Sequence, residues 1–207
     1  MSGFSELYSG DIGHRNRIVA EIISFVLQPM FVPIPVFLVA ASLTPNIAGY
    51  GATVAISLTT AFAIPTVIIY WYSFKLNRKD GDIPDKKDRV VPMAIALLSY
   101  GVGAVILYLS EAPVVVTALM VSYLVATLIA VLITVKWKIS LHATATFGMA
   151  TALTMISWPM GAISFIAAPL IIWSRYVLRK HTPAQLAAGS VLGVVVTAVA
   201  IVIAESL

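Results

Sequence analysis

Two histidines, two arginines and a cluster of lysines in this 207-residue chain are placed where phosphate chemistry needs them. They fall in three short segments: 75–92, KLNRKDGDIPDKKDRVVP; 138–148, KISLHATATFG; and 174–193, SRYVLRKHTPAQLAAGSVLG. Arg89 and Arg175 offer planar, fork-shaped donor sets that match phosphoryl oxygens, and Lys86 and Lys87 add point charge. Ser140 and His142 open one apolar segment, and Thr182 and Pro183 open another. A helix N-terminus presents unpaired N–H groups and partial positive charge, which attract an anion. His142 and His181 beside that anion are the minimum for nucleophilic attack with protonation of a leaving group. The third histidine, His14, stands alone in a polar stretch and reads as an interfacial residue. Cysteine is absent, which excludes disulfides, thiolate chemistry and Cys-ligated metals.

The elements that must position these residues are membrane spans. Of the chain, 60% is hydrophobic and only 11% charged, against about 25% charged in an ordinary soluble domain. Too few charges remain to cover a water-facing surface. Mean hydropathy is +0.98. Stretches long enough to span, about 20 apolar residues each, lie at 18–43, 49–73, 92–110, 113–135, 141–157, 159–178 and 184–204. The expected fold is therefore an all-α polytopic transmembrane bundle of six to seven spans forming one domain over 1–207. A polar segment at 1–17 precedes it, a charged loop at 74–91 interrupts it, and no cleavable signal peptide is read. Pro29, Pro33 and Pro35 mark the first span as kinked, broken or re-entrant, and the fifth is short.

If seven spans alternate, all 13 Lys and Arg collect on one face, and the other holds only Glu111 and Glu205. That asymmetry places the basic face, the N-terminus and the three chemical segments in the cytoplasm of a cell-membrane protein. The pI near 9.4 is thereby explained without nucleic acid as a partner. A phosphate site at the membrane surface implies an amphiphilic partner: a lipid phosphate or prenyl diphosphate substrate, among membrane lipid. The aromatic residues near span ends (Trp71, Tyr72, Trp137, Trp158, Trp173, Tyr176) read as interface anchors.

Ser174-Arg175, five residues, then His181 resembles the third signature of the type 2 phosphatidic acid phosphatase (PAP2) superfamily. Ser140-Leu141-His142 resembles its second signature, and Asp88-Arg89-Val90-Val91-Pro92 loosely resembles its first. The resemblance runs from about residue 75 to 193 and implies a PAP2-like helical core. It further implies that His181 attacks phosphorus to form a phosphohistidine and that His142 protonates the departing group. Arg89 and Arg175 would hold the phosphoryl oxygens, assisted by Lys86, Lys87 and the Ser140 hydroxyl, with no metal and no cofactor.

The chain departs from that pattern at four points. Gln185 stands where the family has an aspartate that orients the nucleophilic histidine; a neutral carbonyl accepts the same N–H bond but stabilises imidazolium less. Ile139-Ser140-Leu141-His142 replaces Pro-Ser-Gly-His, Asp82 occupies the usual lysine position, and seven spans exceed the usual six. Gln185 has a local role as well, because Thr182, Pro183 and Gln185 form an N-cap, N1 and N3 set, a capping box. These departures keep open a catalytically silent relative that binds or moves a phospholipid. A UbiA-type prenyltransferase is weaker: Asn77 and Asp85 fit its Mg²⁺-diphosphate loop, Gly81 replaces a key aspartate, and no second Asp-rich loop exists.

Overall fold

The computed structural model describes residues 13–76 and 86–207, of which 84% are helical with no strand among them. In chain order the elements are α1 (His14–Val26), α2 (Pro33–Ala41), α3 (Ile47–Leu58), a π-helical turn (Thr59–Ala63) and α4 (Ile64–Lys75). There follow α5 (Lys86–Leu109), α6 (Val114–Lys136), α7 (Leu141–Ile156), α8 (Trp158–Val177) and α9 (Pro183–Glu205). Among the described residues, five stretches are long and apolar enough to cross a membrane: Ile47–Lys75, Val90–Leu109, α6, α8 and α9. Two of the seven expected spans fall short of that standard. α7 has 16 residues, about 24 Å at 1.5 Å per residue, against a hydrocarbon core of about 30 Å. The stretch 18–43 is two helices rather than one.

Proline accounts for that break. Pro29 lacks the N–H that would continue α1, and the chain turns through 27–32 with Gln28 N–H donating to the Phe25 carbonyl and Phe31 N–H to that of Gln28. Pro33 and Pro35 then fall in the first turn of α2, where a missing N–H costs no intrahelical bond. Pro65 produces the π turn between α3 and α4 by the same logic. In the π register its absent N–H would have met the Thr60 carbonyl, and the Ser99 hydroxyl of α5 donates to that carbonyl instead, at 2.7 Å. α5 starts at Lys86 rather than 92, so 86–91 of the expected charged loop is helical.

Helices α7 and α9 run parallel and pack directly on each other, and α8, which connects them in sequence, returns along α7. Their contact is set by small residues in register: Ser140 and Thr144 of the α7 end against Gly189 and Gly193 of α9, then Gly148 against Thr197. A Cβ at Gly189 would sit 2.5 Å from the Ser140 carbonyl oxygen, and one at Gly193 would overlap the Thr144 carbonyl. Backbones this close leave room for nothing larger than glycine, as at small-residue crossings of membrane helices generally. Toward the other end of the bundle, Val36 and Phe37 of α2, Leu107 of α5, and Val116, Leu119 and Met120 of α6 form a buried core, with Val36 and Leu119 at its border with the cavity.

Helix α1 inverts the soluble pattern. Ser24, and Gln28 just past its end, are buried against the bundle and continue a polar stripe from Arg17 and Glu21 at the exposed cavity rim, spaced i, i+4, i+7 and i+11, while Ile18, Val19, Ile22 and Val26 are exposed. A polar stripe inward and an apolar face outward suit a helix whose outer solvent is hydrocarbon.

Candidate functional site

A cavity of about 1110 Å³ opens among α1, the α1–α2 turn, α2, α4, α5, α6, α7, α8 and α9. Its charged end is built by the C-terminus of α8 and the N-termini of α7 and α9. There His142, Arg175, Arg179, Lys180 and His181 line the wall, joined by Arg17 from α1. The structure thus brings both candidate histidines and one candidate arginine into a single cavity.

Arg175 lies in the last turn of α8, 3% exposed. Its Nη1 donates to Ser24 Oγ of α1 at 2.6 Å, and the neighbouring Ser174 hydroxyl donates to the Ala20 carbonyl at 2.7 Å. These two bonds tie α1 to α8 and hold the guanidinium in place. After α8 the chain turns sharply: Lys180 N–H donates to the Arg175 carbonyl at 3.0 Å and Arg179 N–H to Tyr176 at 2.9 Å. This paired pattern is a Schellman motif, with Arg179 at φ 55 in the left-handed position that glycine normally fills. The turn carries Lys180 and His181 back over the cavity. Lys138 Nζ donates to the Lys180 carbonyl at 2.9 Å, fastening the α6–α7 connection to the same turn.

His181 is buried at 3% exposure. Its Nδ1 lies 3.3 Å from Gln185 Oε1, and the same oxygen accepts the Thr182 N–H at 3.2 Å. Because a backbone N–H can only donate, the shared atom is the amide oxygen, and Nδ1 must carry the proton. In the neutral ring the lone pair then sits on Nε2. The expected capping box is present: Gln185 N–H donates to Thr182 Oγ1 at 3.4 Å, and Gln185 returns the bond to Thr182 N–H. One glutamine therefore caps α9 and fixes the tautomer of His181.

Ser140 takes a different place from the phosphate-side position expected of it. It is fully buried and caps α7, its Oγ accepting the Ala143 N–H at 3.4 Å while its own N–H donates to the Gln185 carbonyl at 3.3 Å. It is not among the cavity-lining residues. The side chains of Lys86, Lys87 and Arg89 lie outside the described residues, as do Asn77, Gly81, Asp82 and Asp85 entirely. Position 89 shares a helix face with Met93, Ala96 and Tyr100, all of which line the cavity. His14 heads α1, exposed and away from the cavity lining.

The polar stripe of α1 was missed as part of the site, although its i, i+4, i+7, i+11 spacing inside an apolar stretch was readable. Arg17 Nε donates to Glu21 Oε1 at 3.0 Å at the cavity rim, an exposed pair worth about 0.3–0.5 kcal/mol. Below the charged end the cavity wall becomes mainly apolar, with Met93, Ala96, Ala126, Ala145 and Met149.

No family model, curated protein or solved structure matches this chain. Architecture and site together define its class: an all-helical protein with five helices fit to cross a membrane, enclosing a cavity with a cationic, histidine-bearing mouth.

Proposed function

We propose that the protein is a multi-pass membrane phosphatase of the PAP2 kind, acting on a lipid phosphate or isoprenoid diphosphate. One observation carries this: His142, His181 and Arg175 line the charged end of a cavity whose remaining wall is mainly apolar. An anionic head group at the cationic end and hydrocarbon below it satisfy both parts of the lining. His181 Nε2 attacks phosphorus as the P–O bond to the lipid breaks, and His142 delivers a proton to the departing oxygen. Arg175 and the α7 and α9 N-termini neutralise charge developing on the phosphoryl oxygens. Water then attacks the phosphohistidine, the P–N bond breaks, and inorganic phosphate leaves. Arg89, Lys86 and Lys87 add charge from the first turn of α5, and the reaction runs without metal.

The five long helices, with α7 and the α1–α2 pair as two further crossings, give seven spans and a cytoplasmic site at the basic face. Cysteine labelling near residue 83 checks that orientation, since the chain has no native Cys. Access from the cytoplasm alone is expected.

The test of activity is phosphate release in detergent with EDTA present, from a panel of lipid phosphates and prenyl diphosphates. Turnover that survives EDTA and vanishes in His181→Ala is the expected result, with faster turnover in Gln185→Asp. A second reading, a silent protein that binds or moves a phospholipid, draws support from Gln185, whose amide oxygen already serves the α9 cap. Lipid binding without release from any substrate selects it.

A further inference from the structure

The cavity is open along one flank as well as at its charged end. Arg17, Glu21 and Phe25 of α1, spaced i, i+4 and i+8, all line it and all are exposed, Phe25 to 53%. The exposed edge of the lining therefore descends α1 from the charged rim for eight residues, about 12 Å at 1.5 Å per residue. Pro65 and Ile69, one turn apart on α4, line the cavity too. Helix α1 packs on α8 and α4 packs on α5, and among the described residues no extended helix packing joins α1 to α4 or α5. A bridge forms where Phe31 of the α1–α2 turn meets Phe62 of the π turn, ring centroids 6.2 Å apart, with Phe25 edge-on to Phe31 at 5.7 Å. Helix α1 reaches this bridge from the charged end, and α4 leads from it back to Lys75. Between them lies a slot, charged at Arg17 and Glu21 and apolar at Phe25, Pro65 and Ile69. Ile22 and Val26 of α1 and Ile64 and Val67 of α4 are exposed, a surface that hydrocarbon solvates.

We infer that this slot is a lateral portal: an anionic lipid passes through it sideways between the bilayer and the cavity, its head group along Arg17 and its tail between Phe25 and Ile69. The inference rests on the proposed reading for the head group alone, because it needs an anion to settle at His142, His181 and Arg175 and needs no bond to break. Entry through a water-facing mouth would draw the tail out of hydrocarbon, slowing passage about fourfold for each methylene exposed. A slot that is polar at one level and apolar at the next keeps head and tail in their own solvents throughout. The Arg17 charge is solvated and offset by Glu21 at 3.0 Å, so it holds a passing phosphate less firmly than buried Arg175 does.

The test is exchange of dodecyl and butyl phosphonates, each trifluorinated at the tail end, with the full chain in phosphatidylcholine nanodiscs, read by fluorine exchange spectroscopy. A portal is crossed in both directions, so changing its width changes entry and exit together and Kd far less. Phe25→Ala widens the slot and is expected to speed both rates of the dodecyl compound about fivefold, while Ile69→Trp narrows it and slows both about tenfold. Leu98→Trp, exposed on α5 and outside the cavity lining, changes neither rate. Butyl phosphonate, which reaches the charged end through water, exchanges alike in all four proteins. Dodecyl rates unchanged in the Phe25 and Ile69 variants overturn the portal. A change confined to exit overturns it as well, and makes these residues wall contacts. Equal slowing of both compounds by Ile69→Trp also overturns it, because both would then share one route. Failure of wild type to bind either phosphonate removes the anion site and the portal together. Rates that shift as expected, in a protein that releases no phosphate from any substrate, keep the portal and remove the phosphatase.

Discussion

The end of the bundle around Phe37 is filled and the end around His181 is hollow, yet the same helices build both. On α6, Val116 and Met120 are buried against neighbours, while Ala126 and Thr127, about two turns along, border open space. On α5, Leu107 is fully buried and Met93 and Ala96 line the cavity. The difference lies in side-chain volume and not in backbone: large apolar residues meet at one end, and alanine, threonine and glycine meet at the other. Close packing makes the filled end stiff and sensitive to lost methylenes. The hollow end carries buried polar groups whose cost is offset only by specific bonds, such as Arg175 to Ser24 and His181 to Gln185. On the proposed reading, stability is concentrated in one half and chemistry in the other.

That contrast is broken most readily by His181→Ala. Loss of the proposed attacking nitrogen is expected to lower phosphate release by about 10⁴-fold or more, with a change in unfolding midpoint of no more than a few degrees. A large fall in stability with turnover retained would make His181 part of the scaffold instead. Phe37→Ala is the converse probe. It should lower stability by about 3–5 kcal/mol in reversible detergent unfolding, while the folded fraction keeps its turnover. Equal damage to both readouts from either substitution would show that the two halves are one cooperative unit without a division of labour.

How far the sequence reached follows the same division. The capping box of Thr182, Pro183 and Gln185 was legible because all its atoms lie within one turn. The break at Pro29 and Pro33 was legible because proline acts on its own backbone. The grouping of His142, Arg175 and His181 followed from alternation of spans, which brings those segment ends to one surface. The cavity was not legible, because a void is the sum of volumes missing from eight helices at once. Nor was Ser140's role: a serine before a helix is equally a cap or an anion ligand, and the inward turn of its Oγ toward Ala143 N–H decided it. The stripe Arg17, Glu21, Ser24, Gln28 was overlooked because it straddles the boundary drawn between polar segment and first span.

Smaller perturbations sharpen the comparison. Gly193→Ala puts a methyl group against the Thr144 carbonyl, at the crossing that sets the spacing of α7 and α9. Overpacking of this kind costs about 1–3 kcal/mol. Because α7 carries His142 in its first turn and α9 follows directly on His181, lipid binding should weaken along with stability. Binding that is untouched at reduced stability would mean that the two helices shift without moving the histidines.

The finest comparison is between two turns of the same design at opposite ends. Glu111 after α5 and Arg179 after α8 both close Schellman motifs at positive φ, 54 and 55. In the first, Ala112 N–H donates to the Leu107 carbonyl at 3.0 Å and Glu111 N–H to Tyr108 at 3.1 Å. A side chain in the left-handed region costs about 1–2 kcal/mol, and glycine relieves that at some cost in unfolded-chain entropy. Glu111→Gly and Arg179→Gly should each therefore raise stability by about 0.5–1 kcal/mol in detergent unfolding. Only Arg179 lines the cavity, so only Arg179→Gly should also weaken phosphonate binding. Strain is kept at both turns, but at Arg179 it holds a cation at the cavity mouth, where the proposed anion would bind. Equal stabilisation with unchanged binding in both variants would reduce Arg179 to the role of Glu111, a residue that merely ends a helix.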